Sequence, residues 1–104
     1  MEKNMTPLKE CNSLQEVRDS IDKVDDKLVE LISQRSHYIR QAAAFKNSVD
    51  EVKAEDRVEE IMQRVRKKGI ELNINPNMLS ELFTIMINEM VETEIAEFRN
   101  SGAF

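Results

Sequence analysis

Five side chains in this sequence have the types and spacing to work on one small molecule: Arg18, Arg35, Lys46, Arg57 and Glu94. Arg35 is the most telling. From Leu14 the chain reads Leu14, Val17, Ile21, Val24, Leu28, Leu31, Arg35, Tyr38, Ala42, Phe45, an alternating three- and four-residue step that marks the seam of a packed helix. A guanidinium on that seam keeps its charge, so it requires an anion or several acceptors facing it. That anion is either a protein carboxylate in a buried ion pair or a ligand. Glu94 is the complementary anomaly, at helical spacing from Phe83, Ile87 and Met90 and so on an apolar face. Burial raises a carboxyl pKa and a nearby cation lowers it. As a structural group Glu94 is the salt-bridge partner of Arg35 or Lys46. As a functional group it is a partly protonated acid offering a hydrogen bond to a ligand oxygen.

The other three cations are weaker signals taken singly. Arg18 and Lys46 fall on the flank beside the seam, with Ile32 and Ile39, where long cationic side chains bury their stems and keep the charge wet. Arg57 heads the second helix just before Val58, a place usually occupied by a solvated residue. Together with Arg35 they make a cationic pocket in a chain of net charge −5. That contrast suits a small dianion, whose carboxylates match arginine forks.

Other chemistry is poorly supported. His37 has no second histidine at ligand spacing, and Cys11 lacks a nearby base. No Ser-His-Asp arrangement, phosphate loop or dinucleotide fingerprint is present, and no metal or cofactor is expected. The six methionines read as fillers of irregular core space. The basic run Arg64-Val65-Arg66-Lys67-Lys68 reads as a solvated helix end.

Three helices must position these groups, in an all-α fold. Ser13 followed by Glu16 is a capping box that opens a first helix, whose pattern persists to about Phe45. Asn47–Lys53 has no helical stripe and reads as a loop, with Lys46 at its base. A second helix starts near Ala54 or Glu55, carries Val58, Ile61, Met62 and Val65 on one face, and stops at Lys67-Lys68-Gly69. Asn75-Pro76 caps a third helix that runs to about Arg99 and carries Leu79, Leu82, Phe83, Met86, Ile87, Met90, Val91, Ile95 and Phe98.

Size and charge narrow the class. The 104 residues suit one domain, residues 1–104, with a modest core. The acidic balance argues against a nucleic-acid binder. A single cysteine excludes an internal disulfide. The start lacks the apolar run of a signal peptide and no segment is long enough to span a bilayer, so a cytoplasmic protein is expected. The first helix, roughly 33 residues at ~1.5 Å each, is a rod of about 50 Å. A compact monomer of this size has a radius of gyration of only ~13 Å. An intertwined helical homodimer, each copy completing the other's core, is the simplest way to cover such a rod.

These residues resemble the all-helical chorismate mutase family. Leu14-Gln15-Glu16-Val17-Arg18-Asp19-Ser20-Ile21-Asp22 is similar to that family's opening. Arg35, Lys46 and Arg57 follow at its intervals, and Leu82-Phe83 precedes Glu94 as in its third helix. The resemblance covers nearly the whole chain. Within the family the chain looks most like the isochorismate-pyruvate lyase branch, which makes salicylate for siderophores. That likeness rests on Thr6-Pro7 followed by Cys11-Asn12-Ser13-Leu14, and on Tyr38-Ile39-Arg40-Gln41-Ala42-Ala43-Ala44-Phe45-Lys46. It also rests on Ala54 and Val58, apolar where typical mutases carry acids that serve the ring hydroxyl of chorismate.

The resemblance implies a homodimer with active sites shared between chains. Arg18 from the other copy and Arg35 would hold the substrate carboxylates, with Arg57 at the edge of the pocket. Lys46 and Glu94 would meet the ether oxygen linking ring and enolpyruvyl group. The lyases and many mutases have glutamine at the position of Glu94; glutamate occurs in some mutases, notably fungal ones, where a protonated form is thought to be required. The expected reaction is pericyclic cleavage of isochorismate to salicylate and pyruvate, with secondary chorismate mutase activity. Such a reaction needs no nucleophile, metal or organic cofactor, and Asn47–Lys53 would serve as a lid that orders on binding. The alternatives are a true chorismate mutase, making prephenate, and a non-catalytic helical dimerisation or adaptor protein in which Arg35 is merely ion-paired.

Overall fold

The computed structural model describes residues 8–100, apart from the side chains of Val52 and Phe98. The Thr6-Pro7 lead-in and the place of Phe98 on its stripe therefore lie outside the described residues. Every element among the described residues is a helix: α1 (Leu14–Ala43), α2 (Val49–Lys53), α3 (Glu55–Glu71) and α4 (Pro76–Asn100). None is long and apolar enough to cross a membrane.

Local chemistry accounts for the ends. The Glu16 amide donates to Ser13 Oγ at 3.1 Å, while the Glu16 carboxylate reaches one residue further back than in the usual capping box and accepts from the Asn12 amide at 3.3 Å. The far end of α1 departs from the expected Phe45. After Ala43 the amides of Ala44, Phe45 and Lys46 bond three residues back, so the helix tightens into turns that deliver Lys46. Asn75 Oδ1 accepts the Asn77 amide at 2.8 Å and Pro76 opens α4, as expected of an Asn-Pro start.

Further expectations are corrected. The segment read as a loop contains α2, capped by Ser48, whose Oγ accepts the Glu51 amide at 3.1 Å. The second long helix does not stop at Gly69. Gly69 lies inside α3, and the close approach there requires glycine: a Cβ would sit 2.5 Å from Leu79 Cδ1 and 3.3 Å from the Ile74 carbonyl. Its carbonyl accepts the Ile74 amide at 2.8 Å, Asn73 bonds to Ile70, and Asn73 takes the left-handed φ of 60° that ends α3.

The chain falls into two compact units that divide within α1, after Gln34. In the first unit the seam residues Leu14, Val17, Ile21, Val24, Leu28 and Leu31 are 39–63% exposed. In the second, α3 and α4 pack antiparallel, Gly69 against Leu79 at the turn, and α2 packs on α4. The last turns of α1 join them: Ser36 Oγ donates to Met90 Sδ at 3.4 Å, and Ala43 and Ile87 are buried. Arg66 is no solvated helix end. Its Nη1 donates to the Pro76 carbonyl, Asn77 Oδ1 and Ser80 Oγ, clamping α3 to the start of α4.

Candidate active site

A cavity of about 320 Å³ in the second unit opens between the end of α1, the α2–α3 corner and α4. Four of the five residues singled out by type and spacing line it: Arg35, Lys46, Arg57 and Glu94. The fifth, Arg18, lies exposed on α1 in the first unit and is not among the lining residues. Ile39, Met90 and Val91 supply apolar wall, and Ala54 and Val58 the α3 side.

Arg35 stands over the ring of Phe83, its guanidinium carbon 5.8 Å from the centroid. Its Nη1 is buried and finds no acceptor among the described residues. Burial first, and Arg57 second, push its pKa below the ordinary value, but an arginine so placed stays charged. Of the two salt-bridge partners expected for Glu94, Arg35 and Lys46, it is Lys46 that pairs with it.

Glu94 is 5% exposed, a carboxyl in the position its apolar neighbours predict. Its Oε2 lies 3.6 Å from Lys46 Nζ, an ion pair just beyond hydrogen-bond length, and accepts no hydrogen bond. Desolvation raises its pKa; Lys46 opposes that rise without cancelling it. The Lys46 ammonium also donates to the Glu51 carbonyl of α2 at 3.0 Å. Arg57, more than half exposed, is paired with Glu60 one helical turn on.

The arrangement is cationic and unevenly satisfied. Arg35, Lys46, Lys53 and Arg57 face a single carboxyl, Glu94. A buried donor on α1 and a buried carboxyl oxygen on α4 both lack hydrogen-bond partners among the described residues, and buried polar atoms are normally paired. A small oxyanion satisfies the first, and an ether or hydroxyl oxygen is within the chemistry of a protonated Glu94. Lys53 joins the predicted residues only through the structure, since a lysine in a segment without a helical stripe carries no periodic signal. Among the described residues no cluster of histidine, cysteine or acids is arranged to hold a metal. His37 pairs on the surface with Gln41, and Cys11 lies 3.8 Å from the Ser20 hydroxyl in the first unit, outside the cavity.

The sequence that folds this way has a counterpart among known families. Residues 17–95 match the model of chorismate mutase type II. The chain belongs to the chorismate mutase type II family. Two curated relatives show its range. A chorismate mutase of Methanocaldococcus jannaschii is 32% identical over 75 residues, covering 71% of this chain and 76% of that protein. An isochorismate pyruvate lyase of Pseudomonas aeruginosa is 24% identical over 92 residues, covering 88% of this chain and 91% of that protein. The higher identity is to the mutase, against the expectation of the lyase branch.

Proposed function

We propose that this chain is a chorismate mutase, rearranging chorismate to prephenate without metal or cofactor. The observation that carries the reading is the buried carboxyl of Glu94 held beside the Lys46 ammonium in a cationic cavity. In the rearrangement the ether C–O bond breaks as a C–C bond forms, and negative charge develops on the ether oxygen. Lys46 and protonated Glu94 are the donors for that charge. Arg35 binds a substrate carboxylate and holds the reactive conformer, with Arg57 at the edge. The acid at position 94, as in some mutases and unlike the lyases, and the 32% identity to a mutase support this reading over the lyase.

A second copy completes the enzyme in this proposal. It covers the exposed seam of the first unit and contributes Arg18 to the other copy's site. The enzyme acts in the cytoplasm, and α2 serves as cover to the cavity.

A second reading, isochorismate cleavage to salicylate and pyruvate, is favoured by one observation. Ala54 and Val58 make the α3 wall apolar where typical mutases place acids for the ring hydroxyl. Purified protein supplied separately with chorismate and isochorismate decides between them. Prephenate formation with the higher kcat/KM is expected. Dominant release of salicylate and pyruvate hands the protein to the lyase reading. If neither compound reacts nor raises the Tm, a non-catalytic dimerisation role takes its place.

A further inference from the structure

The proposed chemistry leaves one cation of the cavity without a role. Lys53, the last residue of α2, is exposed and lines the cavity with Arg35, Lys46 and Arg57. The commitments of these four differ. Lys46 is paired with Glu94 and holds the Glu51 carbonyl, and Arg57 is paired with Glu60. Arg35 and Lys53 have no carboxylate partner among the described residues, although Asp50, Glu55 and Asp56 share a hollow with Lys53. Of these two cations Arg35 has a buried Nη1 and Lys53 is exposed.

Lys53 sits where the backbone changes course, and besides the cavity it borders two neighbouring hollows, one of them lined also by Glu89 and Glu92. Ser48 caps α2, and Lys46 grips it through the Glu51 carbonyl. The chain then turns into α3 at Ala54, whose φ of 41° is in the left-handed region that side-chain-bearing residues rarely adopt. Strain of this kind persists where the surroundings over-determine it, and it gathers at ligand sites. The corner sends Lys53 and Arg57 to the same cavity from two different helices.

We propose that Lys53 is a substrate-binding residue that receives one carboxylate of a dicarboxylate at the mouth of the cavity, beside Arg57, while Arg35 takes the other. The identity of the dicarboxylate rests on the proposed function; the geometry does not. A rim cation acts on capture more than on the chemical step. Lys53→Ala therefore raises KM for chorismate about 3- to 10-fold with kcat within about twofold, the scale of one charge-assisted contact. Lys53→Arg recovers most of the loss, and Lys67→Ala, exposed on α3 outside the cavity, changes neither constant. The gap between Lys53→Ala and wild type narrows at about 0.5 M salt. An unchanged KM at low salt, or a loss confined to kcat, overturns the proposal.

Malonate separates this proposal from the enzymatic reading. If the wild type turns over neither chorismate nor isochorismate, the proposed function fails and Lys53 is judged by calorimetric titration with malonate alone. Weaker malonate binding by Lys53→Ala than by wild type supports the binding role. Equal binding by the two, or none by the wild type, overturns it.

Discussion

Glu94 is buried and Arg35 buries one guanidinium nitrogen; the two do not pair, and each makes a separate prediction. Burial raises the Glu94 pKa in the folded state above its ordinary 4.5. Below that ordinary value both folded and unfolded chains hold the proton. As pH rises, the unfolded chain releases it first, so stability falls through the window between the unfolded and the raised folded pKa. Glu94→Gln has no such window. Its Tm advantage over wild type is expected to grow as pH rises above the ordinary value of 4.5, in melts at a series of pH values. A pH-independent difference contradicts the raised pKa. The same substitution is expected to hold activity at high pH, where the wild type loses its donor.

Arg35 makes the opposite trade. Its buried, unsatisfied Nη1 costs stability in the folded chain. Arg35→Met, which keeps an apolar stem over Phe83, is expected to raise Tm by a few degrees while lowering kcat/KM by about 100-fold or more. A lower Tm, measured calorimetrically, would show that the guanidinium contributes to folding after all. Lys46→Ala is expected to reduce kcat by about 10²–10³ with the helical circular dichroism intact, if Lys46 is a donor to the developing charge as proposed.

At the scale of elements, the corner between α2 and α3 is the strained part. Ala54 adopts a left-handed conformation that costs an L-residue about 1–2 kcal/mol. Glycine removes that cost but adds unfolded-state entropy of roughly 0.5–1 kcal/mol, so Ala54→Gly should be near neutral. Ala54→Val, β-branched at a positive φ, should destabilise by about 1–2 kcal/mol more than Gly in urea denaturation. Equal midpoints for the two variants would mean the corner relaxes freely.

This corner was also the least legible element. Ser13 and Asn75-Pro76 announce their helices because capping is local chemistry. A five-residue helix has too few positions to show a stripe and is too short to form by propensity. It exists because Ser48 caps it, Lys46 grips it and α4 packs beneath it. Gly69 misled for a related reason: a glycine after lysines reads as a helix stop, and only the closeness of Leu79 explains its place inside α3.

At the scale of the whole molecule, the exposed seam of the first unit is apolar surface that a second copy would cover in the proposed dimer. Sedimentation should then give a dimer. If Arg18 works in the other copy's site, mixing Arg18→Ala with Lys46→Ala chains should recover activity neither has alone. Random pairing leaves one intact site in each mixed dimer, about a quarter of wild-type sites overall. No recovery on mixing would keep Arg18 out of the neighbouring site.

Periodicity and residue type were enough to single out a cation on a helical seam, an acid on an apolar face and the caps that begin the helices, because these depend on spacing of a few residues along one helix. Type and spacing did not reveal the partner of each charge. Arg35 and Glu94 are 59 positions apart in the chain, and the fold gave Glu94 to Lys46, in the turns after α1, and left Arg35 over Phe83. Lys53 entered the cavity only through the fold. Whether a charge meets protein, solvent or ligand is settled where helices distant in sequence converge, and no local pattern encodes that distance.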